Sequence, residues 1–156
     1  MRILDFLQAD GIINPLQASS REGVLSELVE PITRVYPHVN KAQLIRTLLE
    51  RESLGSTGIG GGVAIPHAKF DGLDRVVGTF GRSPRGIDFN SLDRKPVHLF
   101  FLLVAPKNCA GEHLKALARI SRLLTDPDLL NSLQKCDSPN DVFHLIENYD
   151  LMFPEK

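Results

Sequence analysis

Apolar residues recur at helical spacing along the first third of the chain. Val24, Leu25, Leu28, Val29 and Ile32 make one stripe, predicting a helix capped by Ser19 or Ser20 and running to about Tyr36. Pro31 falls inside it and is expected to kink or split the helix, because proline lacks the N–H and crowds the preceding turn. Asn40 predicts the cap of a shorter helix through about Arg51, with Leu44, Ile45, Leu48 and Leu49 on its buried side. Gly55 suits the reversal beyond it. The period then changes. Residues 55–62, GSTGIGGG, read as a glycine-rich loop, and residues 63–67, VAIPH, as a short extended stretch. Residues 76–82 alternate weakly and read as a strand, and residues 86–89 as another. The run PVHLFFLLVA, residues 96–105, is nearly all apolar and reads as a central strand buried on both faces. Helical spacing returns from Gly111 or Glu112 to Leu124. A second helix starts at Asp126-Pro127 and a third at Ser138-Pro139. Helices on either side of a strand-rich middle predict one α/β layered domain over residues 1–156.

Composition narrows the classes. With 42% hydrophobic and 24% charged residues, the 156-residue chain has the balance of an ordinary globular protein. Eighteen basic residues against 19 acidic ones argue against a strong nucleic-acid binder. No stretch of eighteen apolar residues occurs, and Asp5 and Asp10 interrupt the start, so neither a membrane span nor a secretion signal is expected. Two cysteines, Cys109 and Cys136, are too few for a disulfide framework, which predicts a cytoplasmic protein with reduced thiols.

Four features could carry chemistry. Gly58, Gly60, Gly61 and Gly62 admit two readings, an anion site built of main-chain amides or a mobile loop. They form no dinucleotide fingerprint, because the loop follows a helix and Val63 replaces the last glycine, and no Gly-Lys-Ser/Thr follows them. His67 follows Pro66, which stiffens the backbone beneath it; it reads as a reacting imidazole or as a hydrogen-bonded strand-end histidine. Arg51 stands at i+7 from Leu44, on the inner edge of the helix end. It could clamp a phosphoryl group or simply complete the helix terminus, and Glu50 and Glu52 beside it could pair with Arg46, Arg51 or solvent. His113 lies in a helix first turn beside a buried stripe, where the helix dipole favours the neutral ring. His98 reads as a structural histidine of the buried strand, and His38 and His144 carry no pattern. No His-x-x-x-His spacing supports a metal, a zinc site from His67, His113 and Glu112 is a remote alternative, and no serine elbow occurs.

Together these residues are more specific than any one alone. Glu52, Ile59, Gly60, Val63, Ala64, Ile65, Pro66, His67 and Ala68 stand at the spacing of the active-site signature of type-2 EIIA domains. These are the fructose/mannitol class of the bacterial phosphoenolpyruvate-dependent phosphotransferase system. The stretch LLERESLGSTGIGGGVAIPHAK resembles the nitrogen-related EIIA branch most closely. Arg51 precedes His67 by 16 residues and His113 follows it by 46, matching the family's phosphate-binding arginine and second histidine. Gly61 departs from the pattern, standing where many relatives carry Asn or Ser.

The resemblance implies a mixed sheet flanked by helices on both sides, and no metal or other cofactor. It implies that His67 accepts a phosphoryl group, on Nε2, from a small histidine phosphocarrier protein. Arg51 would stabilise that group, His113 would hydrogen-bond it, and the amides around Gly58, Ile59, Gly60, Gly61 and Gly62 would cradle it. An apolar rim of Ile59, Val63 and Phe70 is expected to receive the carrier. The downstream role implied is regulatory, through protein targets such as potassium transport or sensor-kinase systems. The alternatives are a sugar-specific EIIA feeding a permease EIIB domain, and a binding module that transfers nothing.

Overall fold

The apolar run predicted as a central strand is β6 (Val97–Ala105), and it organises the rest. Residues Leu99 to Ala105 expose no surface. Leu99, Phe101, Leu103 and Ala105 enter one apolar cluster, while Phe100, Leu102 and Val104 enter the other. Successive side chains of a strand point to opposite faces, so a continuous apolar run serves two cores at once.

In this computed structural model, which describes residues 1–153, β6 lies inside a mixed sheet. Its other strands are β1 (Leu7–Ile13), β2 (Gly58–Gly60), β3 (Val63–Ala64), β4 (His67–Lys69) and β5 (Val77–Ile87). Their order is β1-β5-β6-β3-β2, with β4 also pairing with β6. The β5–β6 and β2–β3 pairs are antiparallel; β1 runs parallel to β5, and β3 and β4 run parallel to β6. Helices α1 (Arg21–Val35) and α2 (Lys41–Leu54) cover one face through Leu25, Leu28, Leu44 and Leu48. Helices α3 (Ala110–Leu124), α4 (Pro127–Gln134) and α5 (Pro139–Met152) cover the other through Ile120, Leu133 and Ile146. Each such side chain, fully buried, contributes roughly 1.5–3 kcal/mol.

The caps follow the sequence. Ser20 Oγ accepts from Gly23 N at 3.1 Å, Asn40 Oδ1 from Gln43 N at 2.9 Å and Ser138 Oγ from Asp141 N at 3.1 Å. Four expectations change. Pro31 does not split α1, which is one continuous helix. Proline costs a helix one N–H and some strain, and the buried contacts of Val24, Leu28, Val29 and Ile32 outweigh that. Helix α2 continues past Arg51 to Leu54. The two strands read at residues 76–82 and 86–89 are one, β5, whose register with β6 shifts between Arg82 and Ile87. The strand β1 has no counterpart in the sequence reading. Its segment LQADGII alternates poorly and contains Asp10 and Gly11, both weak strand formers, and its register with β5 breaks between Leu7 and Ile12.

Candidate active site

The site grows out of the break between β3 and β4. Pro66 has no N–H to give the sheet. Ile65 N–H donates to the Thr57 carbonyl at 3.0 Å on the β2 side, while the Pro66 carbonyl, facing β6, accepts from Leu103 N at 3.0 Å. The Ile65 carbonyl lies 2.8 Å from His67 Nδ1. A carbonyl only accepts, so Nδ1 carries the proton and Nε2 keeps its lone pair. The half-buried His67 ring is thereby held in one tautomer.

His113 comes from the opposite layer, in the first turn of α3. Its N–H donates to the Cys109 carbonyl at 2.9 Å. Its ring is 7% exposed and meets the His67 ring edge-on, with centroids 5.7 Å apart and planes at 72°. Burial lowers the His113 pKa below its ordinary 6.5, and the charges of His67 and Lys69 lower it further. The ring is therefore neutral at physiological pH. Its Nε2 is buried without a hydrogen-bond partner among the described residues.

Arg51 sits in the last turn of α2, half-buried, and donates Nη1–H to the Gly55 carbonyl at 2.8 Å. Among the described residues no hydrogen bond joins it to His67 or His113. Its helix end is nonetheless one rung from the His67 strand. The adjacent Glu52, 4% exposed, accepts from Thr57 N at 3.1 Å and from Thr57 Oγ1, and the Thr57 carbonyl takes Ile65 N–H. Glu52 thus pairs with Thr57, not with Arg46, Arg51 or solvent.

The glycine turn lies further back along β6 than His67. Gly60, Gly61 and Gly62 all have positive φ, at 91°, 67° and 81°, a run open to glycine almost alone. The register places Val63 beside Leu99 but His67 beside Leu103, four residues further along β6. At about 3.3 Å per residue that is roughly 13 Å, and the turn lies beyond Val63. The amides of Gly58 and Gly61 are engaged by Ser56 Oγ at 3.0 Å and Asp93 Oδ2 at 3.1 Å. Ile59, Gly60, Gly61 and Gly62 build the β2–β3 hairpin, and Gly58 packs so tightly on Ser91 that a Cβ would stand 2.9 Å from that side chain. In this structure Gly60, Gly61 and Gly62 form a tight turn.

The expected apolar rim is corrected. Val63 is fully buried in the core and Phe70 half-buried. Ile59 is exposed, as are Leu54 at the end of α2, Leu92, whose N–H reaches the Gly58 carbonyl, and Leu114 beside His113. Lys69 was passed over by sequence reasoning. It stands two residues from His67, on the same face of β4, and the strand period of two is the signal that finds it. His98 is half-buried and bonds the Ser83 carbonyl through Nδ1 at 2.9 Å. Among the described residues no three His, Cys, Asp or Glu side chains gather as a metal site, and no helix is long and apolar enough to cross a membrane.

Residues 5–149 match the family described as the phosphoenolpyruvate-dependent sugar phosphotransferase system, EIIA 2. A nitrogen regulatory protein of Bradyrhizobium diazoefficiens is 39% identical over 146 residues, covering 94% of this chain and 95% of the relative. The crystal structure of nitrogen regulatory protein IIA-Ntr from Neisseria meningitidis superposes with a TM-score of 0.84 at 31% identity, covering 91% of this chain and 97% of that one. The IIA mannitol structure from Escherichia coli shares the fold, with a TM-score of 0.71 at 23% identity over 89% of this chain and 97% of that one. The fold that holds these side chains is thus that of a known group: the chain belongs to the EIIA type-2 family of the phosphotransferase system, on its nitrogen-regulatory side.

Proposed function

We propose that this chain, acting as one EIIA domain in the cytoplasm, is a phosphocarrier whose His67 takes a phosphoryl group from a small histidine-phosphorylated carrier protein. The observation that carries the reading is the Nδ1–H bond of His67 to the Ile65 carbonyl, which leaves Nε2 as the nucleophile. The Nε2 lone pair forms the new N–P bond as the donor's P–N bond breaks, and that bond's electron pair returns to the donor imidazole. One imidazole replaces another, so catalysis is a matter of position and electrostatics.

His113 is suited to receive the transferred group. An unsatisfied buried polar atom costs about 1–3 kcal/mol. A neutral His113 with its proton on Nε2 recovers that cost when it donates to a phosphoryl oxygen, and gains most where charge accumulates. Arg51 supplies positive charge from the α2 end by releasing Gly55, and Lys69 adds a second cation on the His67 face. Leu54, Ile59 and Leu114 offer the carrier apolar contact. The phosphorylated form then carries added negative charge at this surface, and a downstream protein that binds only one form reads it as a regulatory signal.

The test is intact mass after incubation with phosphoenolpyruvate, enzyme I and the histidine carrier. Wild type gains one acid-labile phosphoryl group; His67→Ala gains none and keeps its circular dichroism spectrum. An unmodified wild type beside a charged carrier refutes the proposal.

A further inference from the structure

The signature glutamate, Glu52, lies far from solvent and touches neither histidine, yet it begins a continuous set of contacts that ends on His67. Its carboxylate takes both donors of Thr57, the N–H at 3.1 Å and the hydroxyl. Thr57 is thereby fixed on both its main chain and its side chain. Its carbonyl accepts Ile65 N–H at 3.0 Å. The Ile65 carbonyl in turn accepts from His67 Nδ1 at 2.8 Å. Ile65 precedes Pro66, which restricts Ile65 to extended conformations and so helps to fix the direction of its carbonyl.

We propose that Glu52 is the positioning residue of His67. Acting through Thr57 and Ile65, it aims the Ile65 carbonyl at Nδ1 and so keeps the imidazole in the tautomer that presents a bare Nε2. This rests on the phosphocarrier reading for its kinetic consequence but not for its structural one. Outer partners that orient a metal-bound histidine change affinity or activity about 10–100-fold when removed, and Glu52 is set the same task of fixing ring orientation and tautomer. A peg that served stability alone would leave the ring's tautomer untouched.

Two variants separate shape from hydrogen bonding. Glu52→Gln keeps the side-chain volume and one acceptor oxygen for Thr57 N, while its amide group meets the Thr57 hydroxyl. Glu52→Ala removes both acceptors. The readouts are the 15N shifts of the His67 ring, taken above its titration, and the rate of His67 phosphorylation as a function of donor concentration. In wild type one ring nitrogen is protonated and the other is pyridine-like. In Glu52→Ala the two signals move toward each other as the tautomers mix, and the maximal rate falls about tenfold or more at unchanged KM for the carrier. Glu52→Gln shows the same changes at smaller amplitude, and stands alone if the alanine variant does not fold. Unchanged ring shifts in a folded variant overturn the proposal, whatever the rate does. If wild type is never phosphorylated the phosphocarrier reading fails, and the ring shifts still decide the role of Glu52.

Discussion

Helix α3, which carries His113, packs into the core through Ala116, Ile120 and Leu123 and is joined to α5 by a buried ion pair. Arg119, 8% exposed, donates Nε–H and Nη2–H to Asp150 Oδ1 at 3.2 and 3.0 Å, and Nη2–H also reaches the carbonyls of Asp150 and Phe153 at 2.8 and 2.6 Å. Asp150, 1% exposed, does more than balance charge. Oδ1 also accepts from Ile3 N at 3.0 Å and Oδ2 from Leu4 N at 3.2 Å, so the same carboxylate caps the N-terminal 3-10 turn (Ile3–Asp5). The two partners are therefore unequal, and truncating each should reveal it. Arg119→Ala leaves a buried carboxylate that still holds two amides; breaking a buried pair in this way costs about 3 kcal/mol at the low end. Asp150→Ala leaves an uncompensated guanidinium and strands two main-chain donors, each worth at least about 1 kcal/mol when unsatisfied, for a total near 5 kcal/mol. A chain of this size loses roughly 2–4 °C of melting temperature per kcal/mol. The expected falls are about 6–12 °C for Arg119→Ala and about 10–20 °C for Asp150→Ala, followed by circular dichroism and checked by urea titration. Replacing both partners by apolar residues of similar size removes the charge problem but not the stranded amides, so the double variant should recover only part of the loss. Equal costs for the two single variants, or full recovery in the double, would refute the claim that Asp150 is a main-chain cap as well as a counterion.

Two further outcomes test the site. Gly61→Ala places a side chain at φ +67° in open space, which should cost about 1–2 kcal/mol of stability. It should leave the rate of His67 phosphorylation within twofold of wild type, because the turn lies at the other end of β6; a folded Gly61→Ala protein that transfers slowly would restore the glycine cradle. Gly61→Asn should be milder, since asparagine tolerates the left-handed region. His113 has a folded pKa below its unfolded value of 6.5. Protons therefore bind the unfolded chain more readily: its contribution to stability is complete above pH 6.5 and is lost as pH falls through the folded pKa. The stability difference between wild type and His113→Gln, measured by urea titration at successive pH values, should shift against wild type on acidification; a pH-independent difference would show that His113 is not held neutral by burial.

The sequence displayed the helices and β6 well, and for identifiable reasons. Ser20, Asn40 and Ser138 cap through their own side chains, and β6 advertises two-sided burial by having almost no polar residue. It displayed β1 poorly because a broken edge strand carrying Asp10 and Gly11 has neither alternation nor propensity to read. His67 and His113 were legible as separate candidates, but their 5.7 Å approach depends on α3 packing across the sheet, a contact between segments 46 residues apart. The glycines meet the same limit. Composition reports that the chain turns sharply at residues 60–62, but only the strand register reports which end of β6 the turn occupies.

That register also explains why the reactive histidine stands where it does. Residues 62, 64 and 66 turn their main-chain groups toward β6, so strand alternation turns those of Ile65 toward β2 and Thr57. Pro66 has no N–H to give β6, Ile65 N–H donates to Thr57 on the β2 side, and the Ile65 carbonyl accepts from Nδ1. The interruption is tolerable because its polar groups are all reused: Leu103 N takes the Pro66 carbonyl, and Thr57 takes the Ile65 amide. One orphan is left in the site, His113 Nε2, in the ring edge-on to His67. With its proton on Nε2, the neutral His113 ring has a buried donor that an acceptor bound at His67 would satisfy. A phosphoryl group bonded to His67 Nε2 supplies three acceptor oxygens. The phosphorylated protein should accordingly protect the His113 ring proton from solvent exchange more strongly than the free protein does. Equal protection in the two forms, measured by NMR on freshly phosphorylated protein, would mean that His113 does not hold the transferred group.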